Sequence, residues 1–180
     1  MQTIKIIVTI AWVAFGVGWF AVALTAKRST NRTRRISFQG LTAVAVVLLI
    51  RVFRGGGLAV HSPVLAGVGV AIFACGLGLA IWARVNLGRN WGMPMTQKLE
   101  PELVTSGPYR FVRHPVYSGL LAAVLGTALV TNLIGIAIAA VLCAYFAYCA
   151  RVEERNLTAT FPREYPAYRS ATKMLIPFVL

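Results

Sequence analysis

Residues 103–119 read LVTSGPYRFVRHPVYSG, a polar, basic, turn-rich stretch set between long apolar runs. Gly107-Pro108 is a turn signal, and Pro115 suits the first position of a new helix, where its missing N–H costs nothing, with His114 in the capping place. The stretch therefore reads as a loop feeding a helix. The residues downstream decide the kind of helix: Val116 to Val130 and Leu133 to Ala150 are almost wholly apolar, parted only by Thr131 and Asn132. So short a link leaves room only for a tight helical hairpin. The first of these two runs is short enough that it need not cross a bilayer completely.

Upstream, Ile4 to Ala26, Ile36 to Phe53 and Pro63 to Ala83 each approach the roughly 20 apolar residues that span a bilayer as a helix. Over 180 residues, 58% are hydrophobic and 13% charged, against about a quarter charged in soluble proteins. The expected fold is an all-α integral membrane protein with five transmembrane helices. By length it is a single membrane domain, 1–180, in which 1–85 holds three N-terminal spans and 86–180 the polar pieces able to do chemistry. Ala21-Val22-Ala23 after an apolar core imitates a signal-peptide cleavage site. A signal carries its positive charge first, however, whereas here Lys5 stands alone before the core and Lys27, Arg28, Arg32, Arg34 and Arg35 come after it.

The net charge of +13 could suggest nucleic acid, but the basic residues flank apolar spans, which favours anionic lipid headgroups and no nucleic acid. Beyond the first cluster they gather as Arg84, Arg89, Lys98, Arg110 and Arg113, then as Arg151, Arg155, Arg163, Arg169 and Lys173. With the N-terminus outside, all three groups fall on the inner side, leaving only Lys5, Arg51 and Arg54 elsewhere. Glu100, Glu102, Glu153, Glu154 and Glu164 fall there too. Every chemically able group thus lies on one cytoplasmic face, with the C-terminus.

Cys75, Cys143 and Cys149 lie in apolar runs without metal-ligand spacing, and His61 and His114 add too little for a zinc site, so they read as small buried hydrophobes and no metal is expected. Gly67, Gly69, Gly76, Gly78, Gly119 and Gly126 read as close helix packing in lipid. Gly67-x-Gly69 is not a dinucleotide fingerprint, because Ile72 takes the third glycine's place and no strand precedes it.

Three polar pieces converge on the inner side: Asn86 to Trp91, residues 103–119, and Arg151-Val152-Glu153-Glu154. The hairpin sets His114 and Glu153 at one depth. The Glu pair at the end of an apolar span calls for a cation, from Arg113, Arg151, Arg155 or a positively charged ligand. Taken singly, Arg110 and Arg113 read as snorkelling anchors, and Tyr109, Tyr117 and Trp91 as an aromatic belt.

The ordered set LVTSGPYRFVRHPVYSG, a two-helix spacer, EERNL, FPREYPAYR and a closing LIP resembles the isoprenylcysteine carboxyl methyltransferase family, with phospholipid methyltransferases as more distant kin. The likeness runs from Asn86 to Pro177. It implies a membrane enzyme that binds S-adenosylmethionine, and releases S-adenosylhomocysteine, in a pocket of cytoplasmic loop and helix ends. By the same resemblance Leu103, Val104 and Tyr109 are cofactor-loop residues, His114, Pro115 and Tyr117 the core of the cofactor site, and Glu153 with Glu154 its acidic ligands. Arg89 and Trp91 match an LGxxW element of bacterial members facing the substrate channel, which implies a bacterial or archaeal plasma membrane. Members acting on prenylated proteins carry an arginine one turn before the Glu pair; here that place is Cys149, and Arg151 is the expected substitute.

The chemistry agrees with that picture. A sulfonium and an ammonium suit a carboxylate such as Glu153, while His114 and amides freed by the Gly107-Pro108 turn and the helix start at Pro115 can hold the cofactor's carboxylate. Methyl transfer to a carboxylate oxygen needs in-line positioning and exclusion of water more than a base, with Arg151 or Arg89 orienting the acceptor. The expectation is carboxyl O-methylation of a lipophilic substrate drawn from the bilayer. A phospholipid or other lipid N-methyltransferase and a non-catalytic membrane binding or assembly protein are the alternatives.

Overall fold

The computed structural model describes residues 1–23, 58–88 and 102–176. The expected second span, Ile36 to Phe53, lies outside them, as do Arg89 and Trp91.

The described residues are all-helical: α1 (Gln2–Ala23), α2 (Pro63–Leu87), a 3-10 turn (Gly107–Arg110), α3 (Pro115–Thr131), α4 (Ile134–Thr160) and α5 (Glu164–Ala171). Among them, α1, α2 and α4 are long and apolar enough to cross a bilayer, whereas the 17 residues of α3 fall short. At 1.5 Å per residue α3 covers about 26 Å. The starts obey local chemistry. Ser62 caps α2, its Oγ accepting from Leu65 N at 3.4 Å with Pro63 next in line. At the hairpin, Asn132 is buried and its Oδ1 accepts from Ile134 N at 2.9 Å, replacing a backbone partner that the turn removes. Thr131 O and Leu133 N bond to Val60 N and Leu58 O, both at 3.1 Å, so the chain entering α2 ties off the turn.

The centre of the fold is the antiparallel crossing of α2 on α3. Gly69 faces Gly126 and Gly76 faces Gly119, seven residues apart on each helix. A Cβ on Gly76 would lie 2.6 Å from Gly119 O, and one on Gly119 2.6 Å from Gly76 O. Ala66, Ala80 and Ala123 continue the seam at zero exposure. Small residues let the backbones touch, which in lipid supplies van der Waals contact where the hydrophobic effect supplies little. Gly67 and Gly78 have open space around them and do not share in this packing. Helix α1 closes one flank, with Val8, Trp12 and Phe15 against Phe73, Leu77 and Val130, and Trp12 Nε1 donating to Thr127 Oγ1 at 3.0 Å.

Two expectations change. Helix α4 does not end at Ala150 but runs on to Thr160, so Glu153 and Glu154 sit inside the helix and escape the unfavourable end of its dipole. Of the cysteines only Cys149 is buried; Cys75 lies exposed on the outer face of α2 and Cys143 is half-buried. An outward small apolar residue needs no protein partner where the surroundings are lipid.

Candidate functional site

The site assembles where the 3-10 turn, the start of α3, the polar end of α4 and the C-terminal segment meet. Gly107 adopts φ +58, and a Cβ there would run into the Asn86 side chain, so only glycine brings the loop onto the end of α2. The turn buries Pro108 and Tyr109. Tyr168 OH, from α5, donates to Tyr109 O at 2.6 Å. Beyond α5 the tail pairs in parallel with the loop: Arg113 N donates to Lys173 O at 2.8 Å and His114 N to Met174 O at 3.1 Å. Ser118 Oγ donates to Leu175 O at 2.5 Å. The tail carbonyls thus take the two amides that precede Pro115.

His114 holds the capping position of α3 but makes no capping bond. Its ring instead lies between two carboxylates. Nδ1 is 3.4 Å from Glu153 Oε2, and Nε2 is 3.4 Å from Glu154 Oε1. The second approach is not aligned as a hydrogen bond, which leaves Nε2 a buried donor with no bonded acceptor among the described residues. Tyr117 OH donates to Glu153 Oε1 at 2.6 Å. The rings of His114, Tyr117 and Phe146 stack in series, 5.5 and 4.7 Å between centroids and within 10° of parallel. This ladder fixes the imidazole plane.

The two glutamates are unequal. Glu154 is held by Arg113 Nε at 2.7 Å and Arg169 Nε at 3.5 Å, with a side-chain exposure of 6%. Glu153 is 25% exposed, so it is the carboxylate a solute can reach. Burial pulls the His114 pKa down, but hydrogen bonding to Glu153 and the negative charge of Glu153 and Glu154 outweigh it, and the net shift is upward. The two carboxylates on either side of the ring favour its protonated form. Burial, reinforced by Glu153, pushes the Tyr109 hydroxyl up, so it stays a neutral donor.

Of the residues singled out from sequence, Tyr109, His114, Pro115, Tyr117, Glu153 and Glu154 come together here, and Leu103 and Val104 lie half-buried on the extended segment leading into the turn. Arg151 is exposed on α4. Arg89 and Trp91 lie outside the described residues. Among the cations considered for the Glu pair, Arg113 is the one bonded to Glu154, with its side chain 9% exposed, and it is therefore no snorkelling anchor. Sequence reasoning missed Tyr165, wholly buried with its hydroxyl unbonded among the described residues, and the tail Thr172 to Ile176. The signal was present in EYPAYR, where Tyr165 and Tyr168 fall three apart on one helical face.

The chemistry of the node suits a ligand that carries a positive charge, for which Glu153 offers a reachable carboxylate.

Comparison with known proteins picks out the same part of the chain. A family model described as phospholipid methyltransferase matches residues 64–164, more than half of the chain. Cobalt-zinc-cadmium resistance protein CzcN of Cupriavidus metallidurans is 35% identical over 121 residues, covering 64% of this chain and 50% of that protein. Protein-S-isoprenylcysteine O-methyltransferase B of Arabidopsis thaliana is 31% identical over 119 residues, covering 64% and 60%. The chain thus spans about half to three fifths of the length of these curated relatives. A solved structure of the eukaryotic intramembrane Ras methyltransferase, isoprenylcysteine carboxyl methyltransferase, superposes with a TM-score of 0.60 at 24% identity, covering 83% of this chain and 54% of the other. That likeness is one of fold, and with the long apolar helices it bears out an integral membrane architecture; the kinship read from RHPVY and the Glu pair is borne out by the family model and the plant relative. On the extent of the family match and the helices it covers, this chain belongs to the phospholipid methyltransferase family.

Proposed function

We propose that the protein is an S-adenosylmethionine-dependent membrane methyltransferase that takes a lipophilic acceptor from the bilayer, with carboxyl O-methylation of an isoprenylcysteine-type substrate as its reaction. The observation that carries the reading is the imidazole of His114 between Glu153 and Glu154, with Tyr117 fixing Glu153. When bound, S-adenosylmethionine supplies an activated methyl group. Glu153 balances positive charge, His114 donates from Nε2, and Leu103, Val104, Tyr109, Pro115 and Tyr117 wall the pocket and exclude water. The tail seals it from the inner side. A carboxylate acceptor carries no proton at neutral pH, so no base is required; Arg151 or Arg89 orients it and Trp91 lines its approach.

In this reading residues 86–180 form the catalytic part and 1–85 the supporting spans, five in all, with the N-terminus outside, the site cytoplasmic and the basic inner face on anionic lipid of a bacterial or archaeal plasma membrane. The description of the family model favours one other acceptor class, the amine of a phospholipid headgroup.

The test has two stages. Calorimetry on the purified protein should detect S-adenosylmethionine binding that is lost in a His114→Ala, Glu153→Ala double variant; equal binding by wild type and variant would sink the cofactor assignment. Incubation with methyl-labelled cofactor and farnesylcysteine, fatty acids or phosphatidylethanolamine then identifies the acceptor. Label released as methanol by mild base marks an ester, and base-stable label in lipid marks N-methylation.

A further inference from the structure

Arg113 touches three separate parts of the site. Its Nε donates to Glu154 on α4 at 2.7 Å, while Nη1 donates to Arg169 O at 3.2 Å on α5 and to Thr172 O in the tail. Its own amide bonds to Lys173 O, and the next amide to Met174 O. The tail thereby seats Met174 and Leu175 on Tyr117, Phe146 and Cys149. Glu154 Oε1, the oxygen that Arg113 holds, is also the oxygen facing His114 Nε2. Removing α5 and the tail would deprive Arg113 of two acceptors and Glu154 of Arg169, freeing that carboxylate to turn against the imidazole.

We propose that Arg113 is a positioning residue that couples docking of the C-terminal segment, Glu164 to Ile176, to the geometry of the His114 pocket. The planar guanidinium matters because Nε and Nη1 of one rigid fork serve acceptors on three segments, which a lysine ammonium on a flexible stem does not hold together. Because coupling is reciprocal, a ligand that uses His114 and Glu153 in this geometry must also hold the segment down. The identity of that ligand rests on the function proposed above; the clamp itself does not.

Cys149 lies buried beneath Met174 and Leu175 and reports on docking. The experiment uses the full chain in lipid nanodiscs with Cys75→Ser and Cys143→Ser, a membrane-impermeant maleimide, and S-adenosylhomocysteine as probe. Wild type should label slowly, and more slowly with the probe. Arg113→Gln should label at least about tenfold faster, since it loses bonds to a charged group, and the probe should no longer change its rate. Arg113→Lys should behave like Arg113→Gln. Ser118→Ala, which loosens the tail at Leu175 without touching Glu154, should label faster yet keep the probe-dependent slowing. That contrast separates positioning from simple destabilisation.

Arg113→Gln labelling at the wild-type rate, or keeping the same probe-dependent slowing, overturns the proposal. So does a wild type that binds the probe by calorimetry without slowing. If the probe does not bind wild type at all, the cofactor reading fails, and the ligand-free rates of Arg113→Gln and wild type still decide the clamp. Should Arg113→Gln not fold, Arg169→Gln, 59% exposed and cutting only the outer contact to Glu154, carries the same prediction with smaller amplitude.

Discussion

Adding one methyl group at Gly119 should weaken the whole protein, and adding one at Gly78 should not. A Cβ at Gly119 would sit 2.6 Å from Gly76 O and 2.7 Å from Ala80 N. Both are backbone atoms of α2, so nothing flexible can yield. Carbon contacts are comfortable at about 3.5–4.0 Å, which means α3 must move off α2 by roughly 1 Å along much of the seam. Overpacking of this kind costs about 1–3 kcal/mol. At Gly78 nothing lies within 4 Å, and an alanine in a helix interior is favoured over glycine by about 0.5–1 kcal/mol. The two variants should therefore differ by about 1.5–4 kcal/mol, with opposite signs relative to wild type. Thermal unfolding in one detergent, monitored by far-ultraviolet dichroism, should place Gly119→Ala below wild type and Gly78→Ala at or above it. Because Pro115 and Tyr117 ride on the same first turns of α3, Gly119→Ala should also weaken binding at His114. A Gly119→Ala protein as stable as wild type, or two variants shifted alike, would refute the close-packed crossing.

Three further outcomes are expected at the site. Tyr117→Phe removes the donor to Glu153 but keeps the ring stack; the lost bond to a charged group, about 1.5–3 kcal/mol, should weaken S-adenosylmethionine binding by roughly tenfold or more in calorimetry with unchanged helix content. Glu154→Gln should cost about 3 kcal/mol or more in unfolding, because Arg113 is left buried without a counter-charge, whereas the more exposed Glu153→Gln should lower ligand affinity with little change in melting temperature. For pH, His114 has a folded pKa above its ordinary value of about 6.5, so its contribution is full below about 6.5 and is lost as pH rises through the higher folded value. The melting temperature should fall over that alkaline rise, and His114→Gln should flatten the profile; an unaltered slope in the variant would remove His114 as its source.

Much of this was legible in the chain. The apolar runs had to become helices, since a backbone in lipid can satisfy its polar groups only internally, and Pro63 and Pro115 marked two starts. The short link at Asn132 required the hairpin, and the hairpin put His114 beside the Glu pair. What resisted reading was partnership. Hydropathy could not tell that Gly76 touches α3 while Gly78 faces outward, because both lie in one apolar run and only the crossing register separates them. The length of α4 was misjudged because Arg151 to Thr160 is polar, yet it continues as helix beside α5.

By itself, then, the sequence determined a helical membrane protein with its reactive groups gathered at one end, because hydrophobic length and charge position act locally along the chain. Only the tertiary structure decided which carboxylate is buried on arginines and which stays reachable, and that Arg113 bonds the tail over Cys149. Those outcomes depend on contacts between residues 41 to 59 positions apart, a range at which no local pattern specifies the partner.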